Sequence, residues 1–186
     1  MNVKDLIIKQ TQTLEEFFED RGTQVQRAID EICARLKDGH KVIVFGNGGS
    51  ASQSQHFAAE LVNKFSKSRR AFPALSLTTD TSCLTSIAND YAFDYVFSRQ
   101  LEALGEEGDV VLALSTSGES PNVVRALQTA REKKLFSIGV TGEGGGTAGA
   151  LCDILLDVPS SDTPRVQEIH LFLLHLICQE IEQEVS

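Results

Sequence analysis

The sequence has no closely spaced pair of cysteines. Its four, Cys33, Cys83, Cys152 and Cys178, are scattered over 186 residues. A disulfide-stapled fold uses a denser pattern and a structural zinc site uses paired thiols. The four are therefore expected as reduced core residues of a cytoplasmic protein. Long apolar runs are also lacking. His175 breaks the longest one near the C-terminus, and nothing approaches the roughly 18 residues of a membrane span. The start, Met1-Asn2-Val3-Lys4-Asp5, lacks a secretory signal profile. Basic residues are in deficit, 17 against 26 acidic, for a net charge of −9. A duplex-binding surface needs a basic face that releases counterions, so neither nucleic acid nor membrane is an expected partner. At first sight the same deficit argues against any anionic ligand. There is no internal repeat and no linker long enough to separate domains.

What is present is enough apolar residue, 41%, to fill a core, which excludes disorder and low-complexity classes. The length fits one domain, 1–186, with a helical extension. Residues 3–20 and 23–37 each carry apolar side chains at helical spacing, which predicts two N-terminal helices over 1–38. The period then shortens. Short apolar runs at 41–45, 74–77, 110–114, 136–140 and 154–158 read as strands. Helical stretches alternate with them at about 50–64, 81–88, 93–104, 121–134 and 165–184. Ser120-Pro121 and Thr163-Pro164 mark two helix starts, and the glycines of 142–146 mark a loop. Buried strands alternating with helices predict an α/β protein, a three-layer α/β/α sandwich around a five-stranded parallel sheet. Ligands of such sheets sit beyond the carboxyl ends of the strands.

Two of those loops carry donors. Gly46-Asn47-Gly48-Gly49-Ser50-Ala51 lies between a strand and a helix and fits a loose dinucleotide fingerprint. The acid that should hold a ribose is misplaced, because Asp80 comes late after the second strand. Ser115-Thr116-Ser117-Gly118-Glu119-Ser120 places four hydroxyls beside a helix N-terminus, where hydroxyls, free N–H groups and the helix dipole suit a phosphate. Capping needs only Ser120, so three hydroxyls are surplus. No Lys-Ser or Lys-Thr follows the glycines, which excludes a Walker-type nucleotide site.

His56 and Glu60 are four residues apart and share one helix face. Imidazole and carboxylate there suit two metal ligands, or a ligand and a base; a surface ion pair is the plain alternative. The last helix carries Gln167, Glu168, His170 and His175 within Leu- and Ile-rich sequence. A ring such as His175 needs a partner there, which a satisfied core histidine would also have.

Together, Phe45-Gly46-Asn47-Gly48-Gly49-Ser50-Ala51 with His56 and Glu60, the Ser115–Ser120 loop, and Arg165-x-Gln167-Glu168-x-His170 with His175 resemble the phosphoheptose isomerases, sugar isomerase (SIS) domain proteins. The resemblance runs over essentially the whole chain. It implies conversion of sedoheptulose 7-phosphate to D-glycero-D-manno-heptose 7-phosphate, for bacterial heptose and lipopolysaccharide precursors. It implies a homotetramer, with the N-terminal helices packing between subunits, and one zinc ion per site. By the motif match, zinc falls to His56, Glu60, Gln167 and His175. Substrate falls to Asn47, Gly48, Gly49, Ser50, Asn89, Asp90, Ser115, Thr116, Ser117, Ser120 and Gln167. The base looks like Glu60 and the acid like His175. Some members have Arg at the position of Lys64 and Asp at that of Pro164. A non-catalytic branch of the family, which binds a replication initiator, is the alternative; it loses the acid–base groups that this chain keeps.

The last helix poses a distance problem. Gln167 and His175 are eight residues apart, about 12 Å along a helix axis, whereas zinc ligands lie within about 2 Å of the metal. The site is therefore expected between subunits.

Overall fold

The computed structural model describes residues 2–185; Met1 and Ser186, the two ends of the expected domain, lie outside the described residues. The chain opens with one long helix, α1 (Val3–Lys37), and not the two expected. The break expected between residues 20 and 23 does not form, because Phe17, Arg21, Val25, Ile29, Ile32 and Leu36 stay in phase across it. Gly22 costs about 1 kcal/mol in a helix relative to Ala, less than the burial that the continuous stripe secures. Arg21 also ties the middle of α1 to the sheet, with Nε 2.6 Å from Asp157 Oδ1.

β1 (Val42–Gly46), α2 (Gly49–Val62), β2 (Ala74–Ser76), α3 (Thr81–Asp90), α4 (Ser98–Leu104), β3 (Val110–Ser115), α5 (Pro121–Glu132), β4 (Phe136–Thr141), α6 (Gly146–Gly149), β5 (Ile154–Asp157) and α7 (Thr163–Glu184) follow. The expected helix over 93–104 is a 3-10 turn, Phe93–Tyr95, and then α4. All five strands are parallel, in the order β2-β1-β3-β4-β5.

Alternate strand residues feed two cores. Val42 and Val44 face a core shared with α1, α2 and α7, while Ile43 and Phe45 face one shared with α4 and α5. The strand order reverses direction between β1 and β3, so the loops after these two strands open a crevice at the carboxyl edge. α2 and α7 both start at that edge and run down the same face. Among the described residues, no helix is long and apolar enough to cross a membrane. Val3 and Ile7 on α1 stay 69% and 61% exposed, an apolar edge that this chain does not cover.

Candidate active site

The glycine turn follows from crowding at the β1–β3 junction. A Cβ on Gly46 would stand 2.7 Å from both the Leu114 carbonyl oxygen and Ser50 Cβ. Only glycine lets α2 start so close to β3. Asn47 then exchanges two amide hydrogen bonds of 2.9 Å with Asn122, a buried residue in the first turn of α5. This pair joins the two loops and was invisible in the sequence, where Asn122 is simply the residue after Ser-Pro.

Between the loops, Asn47, Ser50, Leu114, Ser115, Thr116, Ser120 and Gln167 line a small polar cavity of about 50 Å³. Ser120 sits at the N-cap of α5, yet its hydroxyl makes no bond to that helix. The hydroxyl assigned to capping is thus available to a ligand. Ser115 Oγ accepts from Gly118 N at 3.1 Å, and Ser117 Oγ from Glu119 N at 3.2 Å. Ser117 faces a second cavity with Thr116, Glu143, Ser161 and Thr163. Glu119 latches the loop to α6 by accepting from Thr147 N (2.8 Å) and Oγ1 (2.7 Å), and these bonds hold its carboxyl below the usual range. Asp80 caps α3 by accepting from Cys83 N at 2.9 Å, so its carboxylate is not placed as a ribose acceptor.

Two to three turns down α2, the structure brings His56, Glu60 and His175 together. His56 Nε2 and His175 Nε2 are 2.8 Å apart, and Glu60 Oε1 lies 3.7 Å from His56 Nε2. The Phe65 ring backs His175 at 5.6 Å between centroids. Two neutral imidazoles and a carboxylate are the donor types that zinc takes. As they stand, the three form no ready cage among the described residues, because the two rings touch. Two tetrahedral zinc ligands stand about 3.3 Å apart, about half an ångström more than these rings at 2.8 Å, so the donor types fit the metal.

Gln167 is elsewhere. Its Nε2 lies 2.7 Å from where a Cβ on Gly49 would sit, beside the hydroxyl loop, and its carbonyl accepts from Gln53 Nε2 at 2.7 Å. Asn89 and Asp90 end α3; Asn89 Nδ2 donates to Asp90 Oδ1 at 2.8 Å, and Asp90 lines a different cavity, with Leu75, Tyr91 and Arg99. His170 is fully buried, with Nε2 3.0 Å from the Thr141 carbonyl oxygen. Burial pushes this ring down to about 4, and the hydrogen bond to the carbonyl opposes only part of that shift.

Sequence reasoning also missed a buried ion pair below the histidines. Arg69 Nε lies 3.2 Å from Glu182 Oε1, with both side chains almost wholly enclosed. Burial alone would raise the Glu182 carboxyl, but donors from Ser66, Lys67 and Phe65 outweigh it and hold it at about 2.

A parallel sheet of this order, with a hydroxyl-lined crevice at its switch point, defines a SIS-type α/β/α protein, and the SIS domain family model matches residues 7–142. A phosphoheptose isomerase of Campylobacter jejuni is 50% identical over 86% of each chain. One of Aliarcobacter butzleri is 47% identical over 99% of this chain and all of the relative. The solved phosphoheptose isomerase of Neisseria gonorrhoeae superposes with a TM-score of 0.91 at 39% identity, over 97% of each chain. The chain belongs to the phosphoheptose isomerase family of SIS-domain proteins.

Proposed function

We propose that the chain interconverts sedoheptulose 7-phosphate and D-glycero-D-manno-heptose 7-phosphate, an aldose–ketose isomerisation that feeds bacterial heptose and lipopolysaccharide precursor synthesis. The observation that carries this reading is the gathering of Glu60 and His175 about His56 on one face of the fold, below a hydroxyl-rich crevice.

The reaction moves a proton between C1 and C2 through an enediol, so one group must take a carbon-bound proton while another serves the neighbouring oxygen. Glu60 takes the first role and His175 the second. Asn47, Ser50, Ser115, Thr116 and Ser120, with the N–H groups that open α2 and α5, hold the phosphate without a formal positive charge. Gly48, Gly49, Ser117, Asn89, Asp90 and the Gln167 amide orient the rest of the sugar. Remote binding of this kind places C1 and C2 against the acid–base pair.

His56, Glu60 and His175 would hold a zinc ion, with Gln167 as a further ligand across a subunit boundary. The metal would polarise the carbonyl and steady negative charge on its oxygen. The uncovered apolar edge of α1 supports assembly into a homotetramer, with sites between subunits.

The test is an isomerase assay on sedoheptulose 7-phosphate, with and without chelator. Turnover that is lost on zinc removal and restored by zinc is expected. Bound substrate without turnover would transfer the chain to the non-catalytic branch, and activity surviving complete zinc removal would strike the metal from the scheme.

A further inference from the structure

α2 ends at Val62 with no basic residue in its last turn, leaving carbonyls that want donors. Arg69 supplies them from outside the helix. Its Nη2 donates to the Glu60 carbonyl at 2.8 Å and its Nη1 to the Leu61 carbonyl at 2.9 Å. The same guanidinium stacks 4.0 Å above the Phe72 ring and donates through Nε to Glu182 at 3.2 Å. Glu182 stands on α7 seven residues after His175, two turns on and on the same face. Its carboxylate also accepts from the N–H groups of Phe65 (3.0 Å), Ser66 (2.9 Å) and Lys67 (2.8 Å), and from Ser66 Oγ (2.7 Å). Phe65, held in this way, is the residue whose ring backs His175.

One carboxylate on the helix of His175 is thus joined, through one guanidinium, to the main chain of Glu60. We propose that Arg69 and Glu182 are positioning residues, which tie the last turn of α2 to the last turn of α7 so that Glu60 and His175 meet the same two carbons. This rests on the roles given to Glu60 and His175 above.

Stability of the ion pair by itself does not explain it. Both side chains are buried, to 2% and 1% exposure, and buried ion pairs can often be replaced by packed apolar side chains with no loss of stability. Apolar side chains cannot reach two helix-end carbonyls and three consecutive N–H groups at once. That multiple reach is what sets one helix against the other.

The test uses the full chain with two changes, Arg69→Lys and the double substitution Arg69→Met with Glu182→Leu. Lysine keeps a charge opposite Glu182, but its single nitrogen cannot replace the fork that serves Glu182 and several main-chain carbonyls at once. The readouts are kcat and KM on sedoheptulose 7-phosphate, the ring nitrogen NMR signals of His56 and His175, and the thermal midpoint. In both variants kcat should fall about ten- to a hundredfold with KM within about threefold, as small misplacements of reacting groups do. The two histidine signals should move in both variants, and the midpoint should fall most in the double variant, where buried carbonyls and N–H groups lose their partners. Wild-type kcat with unmoved histidine signals, in either folded variant, overturns the proposal, and Arg69→Lys decides it if the double variant does not fold. If the unaltered chain itself does not isomerise, the functional reading fails, and the histidine signals alone decide the positioning.

Discussion

His170 makes the stability of this protein depend on acid. Its Nε2 faces the Thr141 carbonyl, which can only accept, so Nε2 carries the hydrogen. A second proton must therefore enter at Nδ1, which is buried with no partner. The ring is fully enclosed, and burial lowers it from an ordinary 6.5 to about 4. Because the folded value lies below the unfolded one, the unfolded chain binds the proton more tightly. The contribution of His170 is complete above the unfolded value and is eroded as pH falls towards the folded one. At about 1.36 kcal/mol per unit, the shift amounts to roughly 3 kcal/mol, a large part of the ~5–15 kcal/mol that holds a domain folded.

Urea unfolding measured from about pH 7.5 down to about pH 4.5, on the wild type and on His170→Gln, isolates this term. Glutamine keeps an N–H for the Thr141 carbonyl and has nothing to titrate. Between about pH 6.5 and 4.5 the wild type should lose roughly 2–3 kcal/mol more than the variant. Parallel loss in the two proteins would refute the argument. Glu182 does not confuse the result. Its carboxyl is held at about 2 against an ordinary 4.5, so its contribution is present above the ordinary value and is lost only below it.

Three substitutions separate chemistry from support. Glu60→Gln should cut turnover by about 10²–10⁴, the usual worth of a positioned base, with an unchanged thermal midpoint; near-normal kcat removes Glu60 from its role. Ser120→Ala should leave stability unchanged, although N-cap losses usually cost about 1 kcal/mol, because this hydroxyl makes no capping bond. It should still weaken kcat/KM by about ten- to a hundredfold, the worth of a hydrogen bond to a charged group, and a drop in midpoint without a change in kcat/KM would contradict the cradle. Gly46→Ala drives a Cβ to within 2.7 Å of the Leu114 carbonyl, and overpacking of that kind costs about 1–3 kcal/mol. Calorimetry should show the midpoint falling by several degrees, and an unchanged midpoint would mean that β1 and β3 can part freely.

The elements that could be read from the sequence are those whose signals are local. Val42–Phe45, Val110–Leu114 and Ile138–Val140 are buried on both faces and therefore read as unbroken apolar runs. Ser120-Pro121 marks the start of α5 whatever surrounds it. The errors come from non-local competition. The two helices expected at 3–20 and 23–37 are joined into one by the Arg21–Asp157 bond and a stripe in phase on both sides. His175 drew attention as a ring in an apolar run, yet His170, five residues earlier, is the fully buried one. Asn122, Arg69 and Glu182 gave no signal because their partners are 75, 113 and 113 residues away, in order Asn47, Glu182 and Arg69. The charge deficit misled only at first: the crevice offers hydroxyls, amides and helix ends to an anion, so the chain can be −9 overall and still hold a phosphate.

The separation of Gln167 from His175 decides how many chains a working site needs. Within one chain Gln167 points at the first turn of α2, by Gly49, while His175 meets His56 about 10 Å further along that helix by its rise. A zinc ion held at the histidines would therefore lie far from the same chain's Gln167. If a neighbouring subunit supplies the fourth ligand, Gln167→Ala and His175→Gln should each be inactive alone. Refolded together, they should regain activity in about a quarter of sites, because random mixing in a symmetric assembly pairs intact halves at that frequency. Recovery that scales with the mixing ratio fits a shared site. No recovery, in mixed oligomers shown to have formed, means that one chain holds everything it needs, and that Gln167 serves the substrate alone.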